Sequence, residues 1–239
     1  GENYLVPVGA QIERVSDIPI EAFRLSDLTR SLEGLQADLR IVMLDAGRPF
    51  PPTQDNQPLA RGLALVDPPQ GFAVSFSTAP GEVAEDGQGP YGPYATAFVE
   101  MIRQPGLSLP DLFGRIRVRV HELTQGAQTP WDVVKSDTPF VFLAPQEGAA
   151  VPPQPPPPPQ DFASVGDREA YGIALERDTI PAYQDFLRAY PDSTFAPRVK
   201  RLLAQRREAL TWQRTVARDT PDAYWTYLKR YPRGLHAAD

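Results

Sequence analysis

The sequence predicts an α/β fold of three layers with a mostly parallel sheet, followed by a separate α-helical repeat domain. Two observations predict this. Before residue 144, short apolar runs alternate with segments of helical periodicity, the pattern of strands covered by helices on both faces. After residue 160, one helical motif occurs twice. We therefore predict a first domain at 1–143, a proline-rich linker at 144–160 and a repeat domain at 161–239.

Three strands and one helix are predicted from short segments that have turn-forming residues at their ends. Residues 39–46 (LRIVMLDA) and 71–80 (GFAVSFSTAP) are short and apolar, as buried strands of a parallel sheet are. Residues 93–106 have an apolar helical face and end at a Pro-Gly pair, a helix stop signal. Residues 139–143 (PFVFL) are predicted to form the final strand.

Residues 108–125 allow two interpretations. The alternation of arginine with isoleucine and valine after Gly114 indicates a strand, whereas the longer window carries leucine, phenylalanine and isoleucine at helical spacing. Ser108, with Asp111 three residues later, supplies a helix cap, and Gly126 closes the segment. The longer pattern favours a helix.

The linker contains five consecutive prolines, Pro155 to Pro159, which favour a polyproline II rod. Such a segment acts either as a ligand for a proline-recognising domain or as a stiff spacer. We favour the spacer and expect it to separate the two domains by a few nanometres.

The repeat domain contains two copies of one motif, residues 177–196 and 218–237, which align without gaps. In each copy an Asp-Thr pair caps a helix that proline ends, and a longer helix lies between the copies. Paired helices at this period indicate a solenoid resembling tetratricopeptide arrays. Trp212 and Trp225 favour either contact surfaces or core packing. The basic run 198–208 is interpreted as a solvated helix face.

Composition excludes several classes of function. The net charge of −6 argues against nucleic-acid binding, which depends on lysine and arginine, and no transmembrane segment is expected. The chain contains no cysteine, which excludes disulfides, zinc–thiolate sites and thiol catalysis. We expect no metal and no cofactor. A chain without thiols suits an oxidising compartment, so we expect a periplasmic or secreted protein, with a cytoplasmic location as the alternative.

The motifs before the linker resemble, in order, the later part of a bacterial caspase-like peptidase domain. They are ENYLVPVGA, LRIVMLDAGRPF, GFAVSFSTAPGEVAEDGQGPYGPYATAFVEMI, GLSLPDLFGRIRVRV and TPWDVVKSDTPFVF. In that family the strand before the catalytic loop reads Leu-Asp-Ala-Cys-Arg. The resemblance implies a caspase-like α/β fold, and such domains are often joined to helical repeats.

The resemblance places the nucleophilic cysteine at Gly47, so the catalytic position is degenerate. Glycine cannot attack a carbonyl. The family histidine would lie upstream of ENYLVP, and neither His121 nor His236 occupies a matching position; we assign both to packing or surface roles. A serine nucleophile at Ser75 or Ser77 would need an adjacent base, which the sequence does not offer. Prolines 49, 51 and 52 are expected to stiffen the loop.

Residues around the degenerate position are candidates for a residual substrate groove. The resemblance implies that Asp45 helps to form a pocket for basic side chains, with Arg48, Ser77, Thr78 and Ala79 lining the groove. The alternative for Asp45 is a strand-end carboxylate that caps a backbone amide or pairs with Arg48.

The favoured hypothesis is therefore a non-catalytic caspase-like protein that binds a protein or peptide partner as a scaffold. The alternative is a cysteine-type endopeptidase that cuts after basic residues, with Gly47 an artefact. A third hypothesis is a subunit of a larger assembly. Because the chain begins at Gly1, we interpret it as a fragment or processed piece whose missing N-terminal portion, or another subunit, is a possible partner.

Overall fold

A computed structural model describes residues 2–47, 62–84, 86–87, 89–145 and 162–237. In the first half of the chain the described residues form five strands and four α-helices, in the order β1 (Tyr4–Leu5), α1 (Ile18–Glu21), β2 (Phe23–Arg24), α2 (Leu25–Glu33), β3 (Arg40–Leu44), β4 (Phe72–Phe76), α3 (Pro93–Met101), α4 (Leu109–Leu123) and β5 (Trp131–Lys135). The second half contains α5 (Asp167–Arg177), α6 (Ile180–Ala189), α7 (Ala196–Arg218) and α8 (Pro221–Arg230).

The central sheet has three described strands in the order β3-β4-β5. Val42 of β3 is in parallel register with Val74 of β4, and Val74 is in antiparallel register with Val133 of β5. A separate two-stranded sheet, β1-β2, is antiparallel. Among the described residues the sheet is therefore mixed, and the prediction of a mostly parallel sheet is wrong there.

Helices cover both faces of this sheet. Alternate residues of a strand point to opposite faces. Val42 and Leu44 of β3 pack on the face that Leu25 of α2 covers. Ile41 and Met43 pack on the opposite face with α3 and α4. The three predicted layers are thus present: a helix, a sheet and a helix pair.

The last strand lies earlier than predicted. Residues 131–135 alternate in side-chain direction and pair with β4, whereas residues 139–143 form no strand. Pro139 has no backbone N–H to donate to a ladder. Phe140 and Phe142 instead pack edge to face, with ring centroids 4.9 Å apart, and Phe142 packs against Phe98 of α3 at 5.8 Å. The run is apolar because it closes an aromatic cluster.

The helical interpretation of residues 108–125 is confirmed by α4. The Ser108 hydroxyl caps it by accepting a hydrogen bond from the Asp111 amide at 3.3 Å. Gly126 follows with a φ of +84°, a conformation that favours glycine. Helix α3 ends at Met101, several residues before the predicted stop at Pro105.

The two copies of the repeated motif fold alike. Thr179 and Thr220 cap α6 and α8, and each hydroxyl accepts a hydrogen bond from the amide three residues later. Asp178 and Asp219, which precede them, both adopt the left-handed conformation, with φ of +46°. This turn ends α5 and α7 and lets the next helix begin at once.

The two halves of the chain pack against each other, so the expected separation of a few nanometres between them is wrong. Helix α5 lies on α4, and Val118 of α4 contacts the core that α5, α6 and α7 share. Ala209 of α7 belongs to the cluster on one face of the sheet. Nearly all of the proline-rich linker lies outside the described residues.

Candidate functional site

The position that the resemblance assigns to the nucleophile lies just after β3, at the end of the sheet. Because β3 and β4 are parallel, the segments that follow them meet at one edge. Gly47 has a φ of +113°, which residues with side chains rarely adopt. Its carbonyl oxygen accepts a hydrogen bond from the Ala84 amide at 3.1 Å. A Cβ atom there would lie 3.6 Å from Cγ2 of Thr78, so the space would admit it but the backbone disfavours it.

Ser75 of β4 and Ser77, which follows β4, both form hydrogen bonds within the fold. Ser77 is fully buried, and its hydroxyl donates a hydrogen bond to the Ala46 carbonyl at 3.0 Å, which ties the ends of β3 and β4 together. Ser75 accepts a hydrogen bond from the Tyr94 hydroxyl at 2.7 Å. Burial raises the pKa of Tyr94 far above its ordinary value, so Tyr94 stays protonated and is no base.

The remaining groove candidates differ in their exposure to solvent. Thr78 and Ala79 are buried, Thr78 lies beside Gly47, and Oγ1 of Thr78 has no hydrogen-bond partner among the described residues. Asp45 is exposed to solvent. Arg48 and prolines 49, 51 and 52 lie outside the described residues. The structure therefore brings together Gly47, Ser77 and Thr78 at a buried strand end, and Ala79 follows them in the cluster on one face of the sheet.

Both histidines pack against aromatic rings. His121 of α4 contacts Tyr171 of α5 edge to face at 5.0 Å, and His236 stacks on Trp212 of α7 at 4.1 Å. Burial and the nearby Arg198 lower the pKa of His121 to about 4, so its imidazole is neutral at neutral pH. These contacts agree with the packing roles expected from the sequence.

A buried group of four charged residues joins the two halves next to the strand end. The first half contributes Arg117 of α4 and Asp132 of β5, and the second half contributes Asp178 and Arg206. Arg117 and Asp132 form one ion pair, as do Arg206 and Asp178. Between the halves, Nε of Arg117 lies 3.2 Å from Oδ2 of Asp178, and Arg206 donates to the Asp132 carbonyl at 3.4 Å. We call these residues the charge quartet.

The charge quartet also forms hydrogen bonds with neighbouring groups. Arg117 also donates to the carbonyl oxygens of Leu175 and Glu176 at the end of α5, at 2.9 and 3.2 Å. The Tyr183 hydroxyl donates to Asp178 at 2.5 Å. Each half brings one cation and one anion, so the group is neutral, which is the condition for keeping charges buried.

Arg206 also covers an aromatic ring of the first half. Its guanidinium carbon lies 3.5 Å from the ring centroid of Trp131, a cation–π contact. The prediction that residues 198–208 form a solvated face is thus wrong for Arg206, whose side chain is only 17% exposed. Lys200, Arg201 and Arg207 are exposed, as predicted.

Sequence reasoning missed the charge quartet because its members are scattered over the chain. Two residues carried a sequence signal: Asp178 of the quartet belongs to the repeated Asp-Thr pair, and Trp131, which Arg206 covers, belongs to the Pro-Trp pair of the family resemblance. Neither signal indicates which residues Asp178 and Trp131 contact.

No group of acidic or histidine side chains among the described residues could hold a metal ion. In the same part of the chain, no helix combines the length and the apolar character needed to cross a bilayer.

Comparison with known families supports the caspase-like resemblance of the first half of the chain. The family model Peptidase_C14, described as caspase domain, matches residues 1–141. No curated protein matches the sequence. Because the matched residues make up more than half of the chain and contain the mixed sheet with its covering helices, the protein belongs to the caspase-domain family.

Proposed function

We propose that this protein is a non-catalytic member of the caspase-domain family that binds a protein or peptide partner. The observation that carries the proposal is the nucleophile position. Gly47 has no side chain, its φ of +113° suits glycine, and no cysteine occurs anywhere in the sequence that could act in its place. A loop built around this backbone conformation is adapted to glycine, which argues against Gly47 being an artefact.

Other groups at the strand end also support loss of catalysis. The Ser77 hydroxyl is engaged with a backbone carbonyl, and Ser75 with Tyr94. Both histidines are packed against aromatic rings, His121 within α4 and His236 in the turn that follows α8. A nucleophile and a base in hydrogen-bond reach, which covalent catalysis requires, are therefore missing from the described residues.

Partner binding is supported by apolar side chains on the surface of the helical half. Trp225 of α8 is 63% exposed, and Leu210 and Val216 of α7 are also exposed. Aromatic residues are enriched in protein interfaces. We propose that the helix pairs are a tetratricopeptide-like scaffold, with domains at 1–143 and 161–239, in a protein of the periplasm or the extracellular space.

A hydrolysis assay tests the loss of catalysis. Purified protein and the Gly47→Cys variant are incubated with fluorogenic peptides ending in arginine or lysine, and with an electrophilic peptide that labels active cysteines. We expect no turnover by the wild type and none by the variant, because the variant has a thiol on a strained backbone and no base. Turnover that scales with wild-type concentration would overturn the proposal, and strong turnover by the variant would favour the alternative of an active endopeptidase in which Gly47 is an artefact.

A further inference from the structure

The helical half lies on the edge of the sheet where Gly47 is found. We call this edge the strand-end surface and define it as Gly47, residues 77–82 and Trp131. Ala209 of α7 packs in the same cluster as Ala79, Phe76 and Trp131. Arg206, one turn earlier on α7, covers the ring of Trp131. One helix of the second half thus contacts Trp131 of this surface and shares a hydrophobic cluster with Ala79.

The turn after β4 is contacted as well. A Cβ atom at Gly81 would lie 3.0 Å from Cδ2 of Leu235, which follows α8. The carboxylate of Glu82 faces Arg198, Arg201 and Gln205 of α7. Burial raises the pKa of Glu82 although both arginines act in the opposite direction, so the contact removes much of the solvent around this carboxylate.

The charge quartet holds the two halves in this arrangement. Pulling the halves apart would break the contact of Arg117 with Asp178 and with the last carbonyls of α5. Each half would keep one internal ion pair, Arg117 with Asp132 or Arg206 with Asp178. The separated state is therefore charge-neutral on both sides, and its charges regain water. This makes separation of the halves less costly than exposing an unpaired buried charge.

From these contacts we propose that helix α7 and Leu235 act as the intramolecular ligand of the strand-end surface and close it to other polypeptides. The surface recognises an arginine-bearing helix: Trp131 receives the guanidinium, Glu82 faces further cations and the cluster around Ala79 receives a small apolar residue. An outside partner of the same chemistry, a helix with arginine and alanine on one face, gains access only by displacing α7. This inference rests on the proposed function, because a surface kept for binding replaces one kept for catalysis.

Cysteine reactivity tests the proposal in the full chain. Because the sequence contains no cysteine, Thr78→Cys introduces a single thiol at the strand-end surface, at a side chain that is only 3% exposed. Its labelling rate with a maleimide is measured with Arg206→Gln added. The matched control adds Arg207→Gln, which changes the neighbouring arginine, an exposed one. We expect labelling about tenfold faster with Arg206→Gln than with the control, equal to a loss of about 1.4 kcal/mol in the free energy of local opening.

A second reporter separates opening of the surface from unfolding. Ala97→Cys places the thiol in α3, at a fully buried position on the opposite face of the sheet. In the Arg206→Gln background we expect the Thr78→Cys reporter to label faster than the Ala97→Cys reporter, each rate being normalised to that of the unfolded chain, because only unfolding of the first half exposes α3. Equal normalised rates of the two reporters, or no acceleration of the Thr78→Cys reporter, would overturn the proposal, because the surface would then be covered by its own half of the chain.

If Arg206→Gln prevents folding, Leu235→Ala replaces it as the milder change at the same surface. Faster labelling of the Thr78→Cys reporter supports the proposal, and an unchanged rate contradicts it. The outcome is independent of catalysis. Hydrolysis by the wild type would defeat the proposed function and leave the labelling result intact, whereas unchanged labelling would defeat this inference alone.

Discussion

Asp178, in the helical half, lies 3.2 Å from the guanidinium Nε of Arg117, in the caspase-domain half, and both side chains are almost completely buried. Asp178 is also paired with Arg206 and accepts from Tyr183. One carboxylate therefore balances two arginines from two parts of the chain, so we expect it to contribute strongly to stability.

The first prediction concerns this carboxylate. Asp178→Asn leaves the left-handed backbone acceptable, because asparagine tolerates it, but removes the charge between two buried cations. Removing one partner of a buried ion pair costs about 3–5 kcal/mol, and we expect a loss near the lower end in the free energy of unfolding. Urea denaturation measures it.

The matched control is Asp219→Asn in the second copy of the motif. Asp219 has the same φ of +46° and also accepts a hydrogen bond from the tyrosine five residues later, but it is exposed. We expect a change within about 0.5 kcal/mol, as for most surface substitutions. Equal losses in the two variants would show that the backbone turn, and not the charge quartet, sets the cost.

The second prediction tests the packing of α4 on α5. Replacing a glycine inside a helix by alanine usually stabilises a protein by about 0.5–1 kcal/mol. Gly172 of α5 has open space around its Cα, so Gly172→Ala should show this gain. At Gly114 of α4 an added Cβ would meet the Glu176 carbonyl oxygen at 2.8 Å.

Gly114→Ala should therefore destabilise the protein, by about 1–3 kcal/mol as overpacked substitutions do. Thermal and urea unfolding of the two variants measure the opposite signs. Stabilisation by both substitutions would contradict the close approach of the two halves.

The third prediction concerns the degenerate nucleophile position. Gly47→Ala is expected to cost about 1–3 kcal/mol, because its φ of +113° strains any residue with a Cβ although the space is sufficient. Gly34→Ala is the control, since Gly34 has an ordinary φ of −67° and its added Cβ would be in normal contact at 3.5 Å. We expect that control to change stability by less than about 0.5 kcal/mol. A neutral Gly47→Ala would argue that the loop accepts a side chain and that its glycine is incidental.

Local signals predicted the elements that depend on local contacts. The cap of α4 at Ser108 and the two Asp-Thr caps are decided within a few residues, and the structure has all three. The final strand was misplaced because an apolar run is the same signal whether it joins a sheet or an aromatic cluster. Only the partners distinguish the two: β4 for Trp131–Lys135, and Phe98 for Phe142.

The packing of the two halves could not be predicted from the composition of the linker. A proline-rich segment determines the stiffness of the connection but not how the two halves that it joins are oriented. The charges involved also have no local signature. Arg206 and Arg207 are adjacent in one basic run, yet one covers Trp131 and the other is exposed. The difference depends on which side of α7 faces β5, a strand more than 70 residues away in sequence.

The fourth prediction is a pH dependence of stability that originates at His121. Its pKa in the folded protein is about 4, below the ordinary value of 6.5, because burial and Arg198 disfavour the imidazolium. Between these two values the unfolded chain binds more protons at this site, so stability falls as the pH falls from about 6.5 to 4. Glu82, with its raised pKa, has the opposite sign above 4.5, so only a variant isolates the histidine. The free energy of unfolding is therefore measured at pH 7 and at pH 5 for the wild type and for His121→Gln. The wild type should lose more stability than the variant, and an equal loss in both would show that the imidazole is solvated and not packed against Tyr171.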